Sequence, residues 1–337
     1  MSLAFEPITI CNKTLQNRFI RSSTHEGLSD KDGRPTQALL DLLVNLSKGK
    51  VGMIIGGFAY VNKNGRAYDN QTGLYSDEIM EDWKPAIEQI HANGSIFLFQ
   101  LTHGGSRVEE GLEKVTPSNV RGRELTAPEI KAVISDFVAA AVRCKNVGAD
   151  GIQFSAGHGY LLSTFLSPIT NKRTDEYGGS DENRVRIVAE ITEGIKKECG
   201  EDFIVGAKIN GDDYIDGGVN KEIASKHVSL LKDKIDFFEI SCGLGVPNTT
   251  IHNDDPDNEE AKAAKAYEER RRMPRGEGYN SEIAAFIKQE NPDALVSSVG
   301  GIRSKEFIES LLRSKKADLI SLARPFLNNP NFLETLK

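Results

Sequence analysis

Cysteine is scarce in this chain of 337 residues: Cys11, Cys144, Cys199 and Cys242 stand far apart and form no Cys-x-x-Cys pair. A zinc site, an iron–sulfur cluster and a disulfide scaffold are therefore all unsupported. No apolar run approaches the ~18 residues needed to cross a bilayer. The start, Met1-Ser2-Leu3, lacks the basic head and apolar stretch of an export signal, so a cytoplasmic protein is expected, without a membrane partner. Positive charge is also in short supply. The 42 Lys+Arg against 49 Asp+Glu leave a formal net charge of -7, and a general attraction to nucleic acid is not expected. No Gly-x-Gly-x-x-Gly follows the first strand candidate, which counts against a Rossmann domain. Solenoid repeats and low-complexity tracts are missing too. What is present is close to the globular average, 39% hydrophobic and 27% charged. The length is about twice the ~150 residues of one domain, which admits two domains or one large barrel.

Eight β-type runs alternate with amphipathic helical stretches: Arg18–Ser23, Met53–Phe58, Ile96–Leu101, Gly151–Ser155, Phe203–Ile209, Phe237–Ser241, Leu295–Val299 and Leu319–Ala323. Most are near-continuous apolar runs, as strands buried on both faces require. The helices between them have legible ends. Leu39, Leu40 and Leu43 mark one between Thr36 and Gly49. Thr126 and Glu129 form a capping box with Pro128 in the first turn, and the helix then stacks Ile130, Val133, Ile134, Phe137, Val138 and Ala141 up to Gly148. Ser180 caps another, with Ile187, Ile191 and Ile195 at four-residue spacing. Pro85 predicts a helix that begins near Asp82 rather than at Glu78. This order predicts an α/β protein, a (β/α)8 TIM barrel forming a single domain over residues 1–337, with an excursion after strand six. That excursion, residues 246–278, carries Asp254-Asp255-Pro256-Asp257, Glu268-Glu269 and Arg270-Arg271-Arg272. It reads either as a lid over the catalytic face, with Arg270, Arg271, Arg272 and Arg275 toward an anionic substrate, or as a solvated insertion whose charges neutralise one another.

In such a barrel the chemistry sits at the C-terminal ends of the strands, and phosphate binds after strands seven and eight. Strand seven runs into Gly300-Gly301-Ile302-Arg303 and strand eight into Ala323-Arg324-Pro325. Glycines let backbone N–H groups approach a phosphate, and arginine offers a fork of donors. Two tight turns with a surface arginine is the competing reading. Strand four ends in Ser155-Ala156-Gly157-His158-Gly159-Tyr160, where a hydroxyl, an imidazole and a phenol either converge on a substrate or decorate an ordinary turn. His103, after strand three, reads equally as a core histidine bonded to backbone. Lys208, amid Val205, Gly206, Ala207 and Ile209, must snorkel out or meet a negative charge. No paired carboxylate base, the mark of a sugar-phosphate isomerase, is evident near the centre.

These residues also carry a resemblance. Phe5-Glu6-Pro7-Ile8 with Leu15-Gln16-Asn17-Arg18, then Gln100-Leu101-Thr102-His103, then the run from His158-Gly159-Tyr160-Leu161-Leu162 through Phe165-Leu166-Ser167-Pro168 and Asn171 to Ser180, ending at Glu182-Asn183-Arg184, resemble the old yellow enzyme family of FMN-dependent NAD(P)H:flavin oxidoreductases. With the two phosphate turns the similarity spans nearly the whole chain. The resemblance implies a TIM barrel with bound FMN, NADH or NADPH as diffusible reductant, and a small electrophilic substrate with an activated C=C bond. It places Ser23, Thr24 and His25 against the flavin, the Gly57-Phe58 backbone beside it, and Gln100 on its pyrimidine edge. It puts Lys208 where many members hold an arginine facing N1, Gly300, Gly301, Ala323 and Arg324 around the phosphate, and Tyr160 as proton donor. Family members are often homodimers or homotetramers.

Three positions depart from the family pattern. Ser155 pairs with His158 where a second histidine or an asparagine is usual; a serine is shorter and cannot carry charge. His25 stands where threonine or cysteine is common, and Ser106 where an arginine is, although Arg107 follows. The chain ends at Lys337, soon after the eighth strand, so the cluster-binding and nucleotide domains of larger members are not expected. The readings that stay open are reduction of an α,β-unsaturated carbonyl compound by alternating half-reactions, a related dehydrogenase or reductase acting on an amine or an enoyl thioester, and a flavin-binding protein with little turnover.

Overall fold

Each of the eight predicted runs becomes a strand, with no edge displaced by more than two residues: β1 (Phe19–Arg21), β2 (Met53–Tyr60), β3 (Ile96–Thr102), β4 (Gly151–Ala156), β5 (Ile204–Asn210), β6 (Phe237–Ser241), β7 (Val296–Val299) and β8 (Leu319–Leu322). In the computed structural model, which describes residues 2–244 and 276–337, they pair in parallel in chain order and close β8 onto β1. This is the predicted (β/α)8 barrel. The proposed lid, with its four arginines, falls outside the described residues apart from Gly276, Glu277 and Gly278.

Strand periodicity divides the barrel interior into layers. Ile20, Ile55, Leu98, Ile204, Phe237 and Leu319 form an apolar lower layer, and Ile10 and Leu15 of an antiparallel hairpin (Ile8–Ile10 with Lys13–Leu15) close it from below. Two or four residues further along, the same inward face turns polar, with Ser22, Gln100, Gln153, Lys208, Glu239 and Ser321 all buried. The site is built on this second layer.

The helices form the outer ring: α1 (Gln37–Lys48), α2 (Lys84–Ala92), α3 (Ala127–Asn146), α4 (Arg186–Cys199), α5 (Lys221–Leu231), α6 (Ser281–Glu290), α7 (Lys305–Arg313) and the short α8 (Arg324–Asn328). α1 lies between Thr36 and Gly49 as predicted and buries Leu39 and Leu43. α3 has its capping box, with the Glu129 carboxylate accepting from the Thr126 N–H at 2.7 Å, and buries Ile130, Val133, Phe137 and Ala141. Two helix starts differ from expectation. A helical turn is already present at Asp77–Met80 and tightens to a 3-10 turn at Glu81–Trp83 before α2, because Pro85 has no N–H to continue the α-helical pattern. Ser180 does cap, but it caps a single turn, Asp181–Arg184, and α4 starts afresh at Arg186.

Two local features shape the barrel interior, one near its mouth and one in the lower layer. The pairing of β2 with β3 slips between Gly56 and Phe58, and Gly57 sits at φ +44°, a bulge that re-aims Phe58 toward the barrel axis. Gly206 faces the Phe237 ring so closely that an added methyl would overlap it. The expected result of Gly206→Ala is overpacking that destabilises the protein by about 1–3 kcal/mol, read as a lower urea midpoint with an unchanged slope. An unshifted midpoint would show that the lower layer yields.

Candidate active site

The strand ends carry two adjoining cavities. One, of about 340 Å³, is lined by Ser23, Thr24, His25, Phe58, Tyr68, Gln100, Ser155, His158, Tyr160 and Lys208. The other, of about 610 Å³, is lined by Gly300, Gly301, Ala323 and Arg324 together with Tyr279, Ser321, Asn328 and Phe332 among others. Every predicted site residue except Gly57 therefore lines one of two hollows at the same end of the barrel. Gly57 contributes its carbonyl, which accepts from Ser23 Oγ at 3.1 Å. The hollows adjoin at the β8–β1 seam, where the Ser22 N–H donates to the Leu322 carbonyl at 2.9 Å. Both volumes lie in the ~300–1,000 Å³ range of small-molecule sites.

The second cavity has the build of an anion cradle. Gly300 and Gly301 take φ +130° and +69°, and a methyl on either would press within about 3 Å of the Tyr279 ring. Among the described residues no acceptor takes the Gly301 or Ile302 N–H, and Arg324 stands opposite on the β8 turn. These donors suit the phosphate of FMN. The first cavity suits the ring system: it offers aromatic walls, the amide of Gln100 and the ammonium of Lys208. The residues present thus fit FMN.

Lys208 does not snorkel out. It meets a negative charge, Glu239 on β6, whose Oε1 lies 3.0 Å from Nζ. Nζ also donates to Ser22 Oγ at 2.9 Å and to the Ser23 carbonyl at 3.3 Å. Glu239 is fully buried, and sequence reasoning missed it although a charged residue inside Phe237-Phe238-Glu239-Ile240 is the same signal that singled out Lys208. Gln153 and Tyr68 were missed as well. Gln153 Oε1 accepts from Gln100 Nε2 at 2.7 Å, which orients the Gln100 amide.

The turn after β4 is held in an uncommon conformation. His158 has φ +62° and Gly159 φ +77°. The His158 N–H donates to Asn210 Oδ1 at 3.1 Å, and Asn210 in turn donates to buried Asp213 at 2.8 Å. Burial holds the Asp213 carboxyl above the usual range, although Ser167, Val219 and Asn210 all donate to it. The His158 ring shares a hydrogen bond of 2.8 Å with Ser241 Oγ through Nε2. Burial, with the Lys208 and Arg107 cations adding, pushes the imidazole down to about 3, so it is neutral at physiological pH. Tyr160 packs on the Phe58 ring at 4.5 Å, and the Tyr160 and Tyr68 hydroxyls are 2.9 Å apart. Arg107 lies over the Tyr160 ring at 4.8 Å and donates to the His158 carbonyl and to Tyr68 Oη at 2.8 and 3.2 Å. His25 stacks on Tyr68 with centroids 5.0 Å apart, and burial lowers the pKa of its imidazole.

The turn after β1 is fixed from behind. Fully buried Arg21 donates to the Ile55 carbonyl at 2.7 Å and to Thr24 Oγ1 at 3.0 Å, and it pairs with Glu26 at 2.6 Å. His103, by contrast, lies outside the cavity: its Nδ1 accepts from the Gly105 N–H at 3.1 Å, and it is a core histidine.

A phosphate-type cradle beside an aromatic pocket with Lys208 at its floor, on a (β/α)8 barrel, is the build of a barrel oxidoreductase that takes a flavin nucleotide. The chain matches the model of the NADH:flavin oxidoreductase / NADH oxidase family over residues 3–337 and belongs to that family. It is an FMN-dependent enzyme that uses NADH or NADPH as reductant. It is 32% identical to an NADPH dehydrogenase of Bacillus subtilis, across 98% of this chain and 93% of the relative. Among solved structures it is similar to 2-naphthoyl-CoA reductase in complex with 2-naphthoyl-CoA, with a TM-score of 0.86 and 25% identity. That match covers 99% of this chain and only 52% of the reductase, so the chain spans about half the length of that protein. An old yellow enzyme homologue from Zymomonas mobilis shares the fold, with a TM-score of 0.78 and 24% identity over 100% of this chain and 94% of that one.

Burial pushes His103 down to about 4, and an unfolded histidine titrates near 6.5. As pH falls from about 6.5 toward 4, the unfolded chain takes up a proton that the folded chain refuses, so stability is lost as the medium acidifies. His103→Gln keeps an acceptor for Gly105. Between pH 7 and 4.5 it should lose about 2–3 kcal/mol less stability than the parent in urea titrations at fixed FMN excess. Equal losses would place the proton-linked instability elsewhere.

Proposed function

We propose that the chain is a single-domain cytoplasmic reductase that passes the hydride of NADH or NADPH to the activated C=C bond of an α,β-unsaturated carbonyl compound. FMN, when bound, supplies the two-electron carrier that takes hydride from the nicotinamide and gives it to the acceptor. Gly300, Gly301, Ala323 and Arg324 would hold its phosphate. Ser23, Thr24, His25, Gly57 and Phe58 would border its ring system, with Gln100 and Lys208 at the pyrimidine edge. A cation there favours the negative charge that reduction leaves on that edge.

The observation that supports this reading most is the placement of Tyr160, Ser155 and His158 around one hollow with Gln100 and Lys208. The Ser155 hydroxyl and the neutral His158 ring donate to the substrate carbonyl oxygen, which makes the β-carbon electrophilic. When Ser241 donates to Nε2, the remaining ring N–H of His158 is free for that oxygen. The Tyr160 phenol lines the same hollow and is the group placed to deliver a proton to the α-carbon. The adjacent Tyr68 hydroxyl and the Arg107 guanidinium offset the charge this leaves on the phenol oxygen.

A second reading takes an enoyl or aryl thioester as substrate. The short Ser155, which leaves room for a carbonyl of different placement, and the likeness to 2-naphthoyl-CoA reductase favour it. Under argon, NADH or NADPH should bleach the yellow protein, and cyclohexenone or maleimide should restore the colour; bleaching without restoration by any enone, but with restoration by a thioester, selects the second reading. Tyr160→Phe is expected to slow reoxidation by the enone about 10²-fold or more while bleaching by the nicotinamide stays within twofold. An unchanged reoxidation rate would remove Tyr160 from the proton step.

A further inference from the structure

Glu239 has no assigned part in the chemistry, yet three side chains of the polar layer converge on it. It is fully buried, in the middle of β6. Its Oε1 accepts from Ser22 Oγ at 2.6 Å and lies 3.0 Å from Lys208 Nζ. Its Oε2 accepts from Gln153 Nε2 at 3.1 Å, and Gln153 holds the Gln100 amide at 2.7 Å. One carboxylate on β6 therefore joins the turn after β1, β4 and β5, and its two arms end at Lys208 and Gln100.

We propose that Glu239 is a positioning residue and counter-charge that sets the reduction potential of the flavin through Lys208. The inference rests on the proposed placement of Lys208 at the pyrimidine edge. Two effects follow from the geometry. The carboxylate fixes where the ammonium and the amide stand, so neither long side chain must be ordered again when the cofactor binds. Its negative charge also offsets much of the field that Lys208 projects into the cavity, because unlike charges 3.0 Å apart act at a distance as a dipole rather than as a cation. Reduction that leaves negative charge above the pair is thus favoured less than it would be over an uncompensated lysine. The pair keeps the flavin a readier donor, which suits an enzyme that must hand hydride on to a carbon acceptor.

The test is the flavin midpoint potential of the FMN-loaded protein, measured by equilibration with a reference dye. Glu239→Gln keeps the shape and removes the charge; its amide oxygen can stay on Ser22 and Lys208, while its NH2 replaces an acceptor and meets the Gln153 amide. It should raise the potential by at least the equivalent of a tenfold shift toward the reduced form, about 30 mV for a two-electron couple. The same shift should appear as at least tenfold stronger binding of reduced relative to oxidised FMN by the apoprotein. Lys208→Met should move the potential the opposite way, and the two changes combined should be non-additive. If Lys208→Met lowers the potential while Glu239→Gln leaves it in place or lowers it, the inference falls and the placement of Lys208 survives. If neither variant moves it, both fall. Should Glu239→Gln fail to fold, Glu239→Asp keeps the charge but withdraws it by one methylene from Lys208. A smaller upward shift is then expected, and no shift overturns the inference.

Discussion

Two opposite charges buried side by side on neighbouring strands are the constraint around which this barrel is organised. Lys208 and Glu239 are register partners on β5 and β6, so the pleat turns both toward the axis at one height. Either charge alone at that depth would be costly to desolvate. Together, with Ser22 and Gln153 completing the bonds, they are held at small net charge in a layer that would otherwise be filled by aliphatic side chains. Below them the interior is apolar and closed, and above them it opens. The transition takes about two residues of strand, roughly 7 Å at ~3.3 Å per residue.

Around this layer, the loops that bear chemistry are fixed rather than pliant. The β1 turn is tied by Arg21, which reaches the β2 backbone, Thr24 and Glu26 from one guanidinium. The β4 turn puts two consecutive residues in the left-handed region, a conformation that costs energy for histidine, and Asn210 and Asp213 hold it there from β5 and the loop beyond. Arg107 clasps the same turn from the side of β3. The groups proposed to react are thus held in place by the protein's own bonds, which is the condition under which fixed dipoles and donors act most strongly on a developing charge.

Much of this was legible in the amino-acid order, and the reasons are physical. Strands buried on both faces must be continuously apolar, so eight such runs stood out, and the cap residues Thr126 and Ser180 act through local bonds that any reader of sequence can anticipate. The glycine and arginine turns after β7 and β8 and the strand-four triplet stood out for the same local reason, and both line the hollows at the strand ends. What escaped was relational. Glu239, Gln153, Tyr68 and the Asn210–Asp213 pair matter because of what the closed barrel brings next to them, across separations of many tens of residues. Even so, Glu239 left a trace, since a charge within an apolar strand demands a partner, and Lys208 had already raised that question. The helical turn at Asp77 escaped because a proline blocks one backbone bond, not the whole helical path.

The hairpin beneath the barrel has a kinetic consequence. With Ile10 and Leu15 packed into the lower core, the hollow above Lys208 has a floor and cannot serve as a passage. Under the proposed reaction, electron donor and electron acceptor share this one mouth, and each has to vacate it before the other can enter. An enzyme built this way trades throughput at crowded concentrations for an orderly exchange. An excess of either visitor becomes an obstacle to its successor, and the order of traffic is written into the architecture rather than into any single contact.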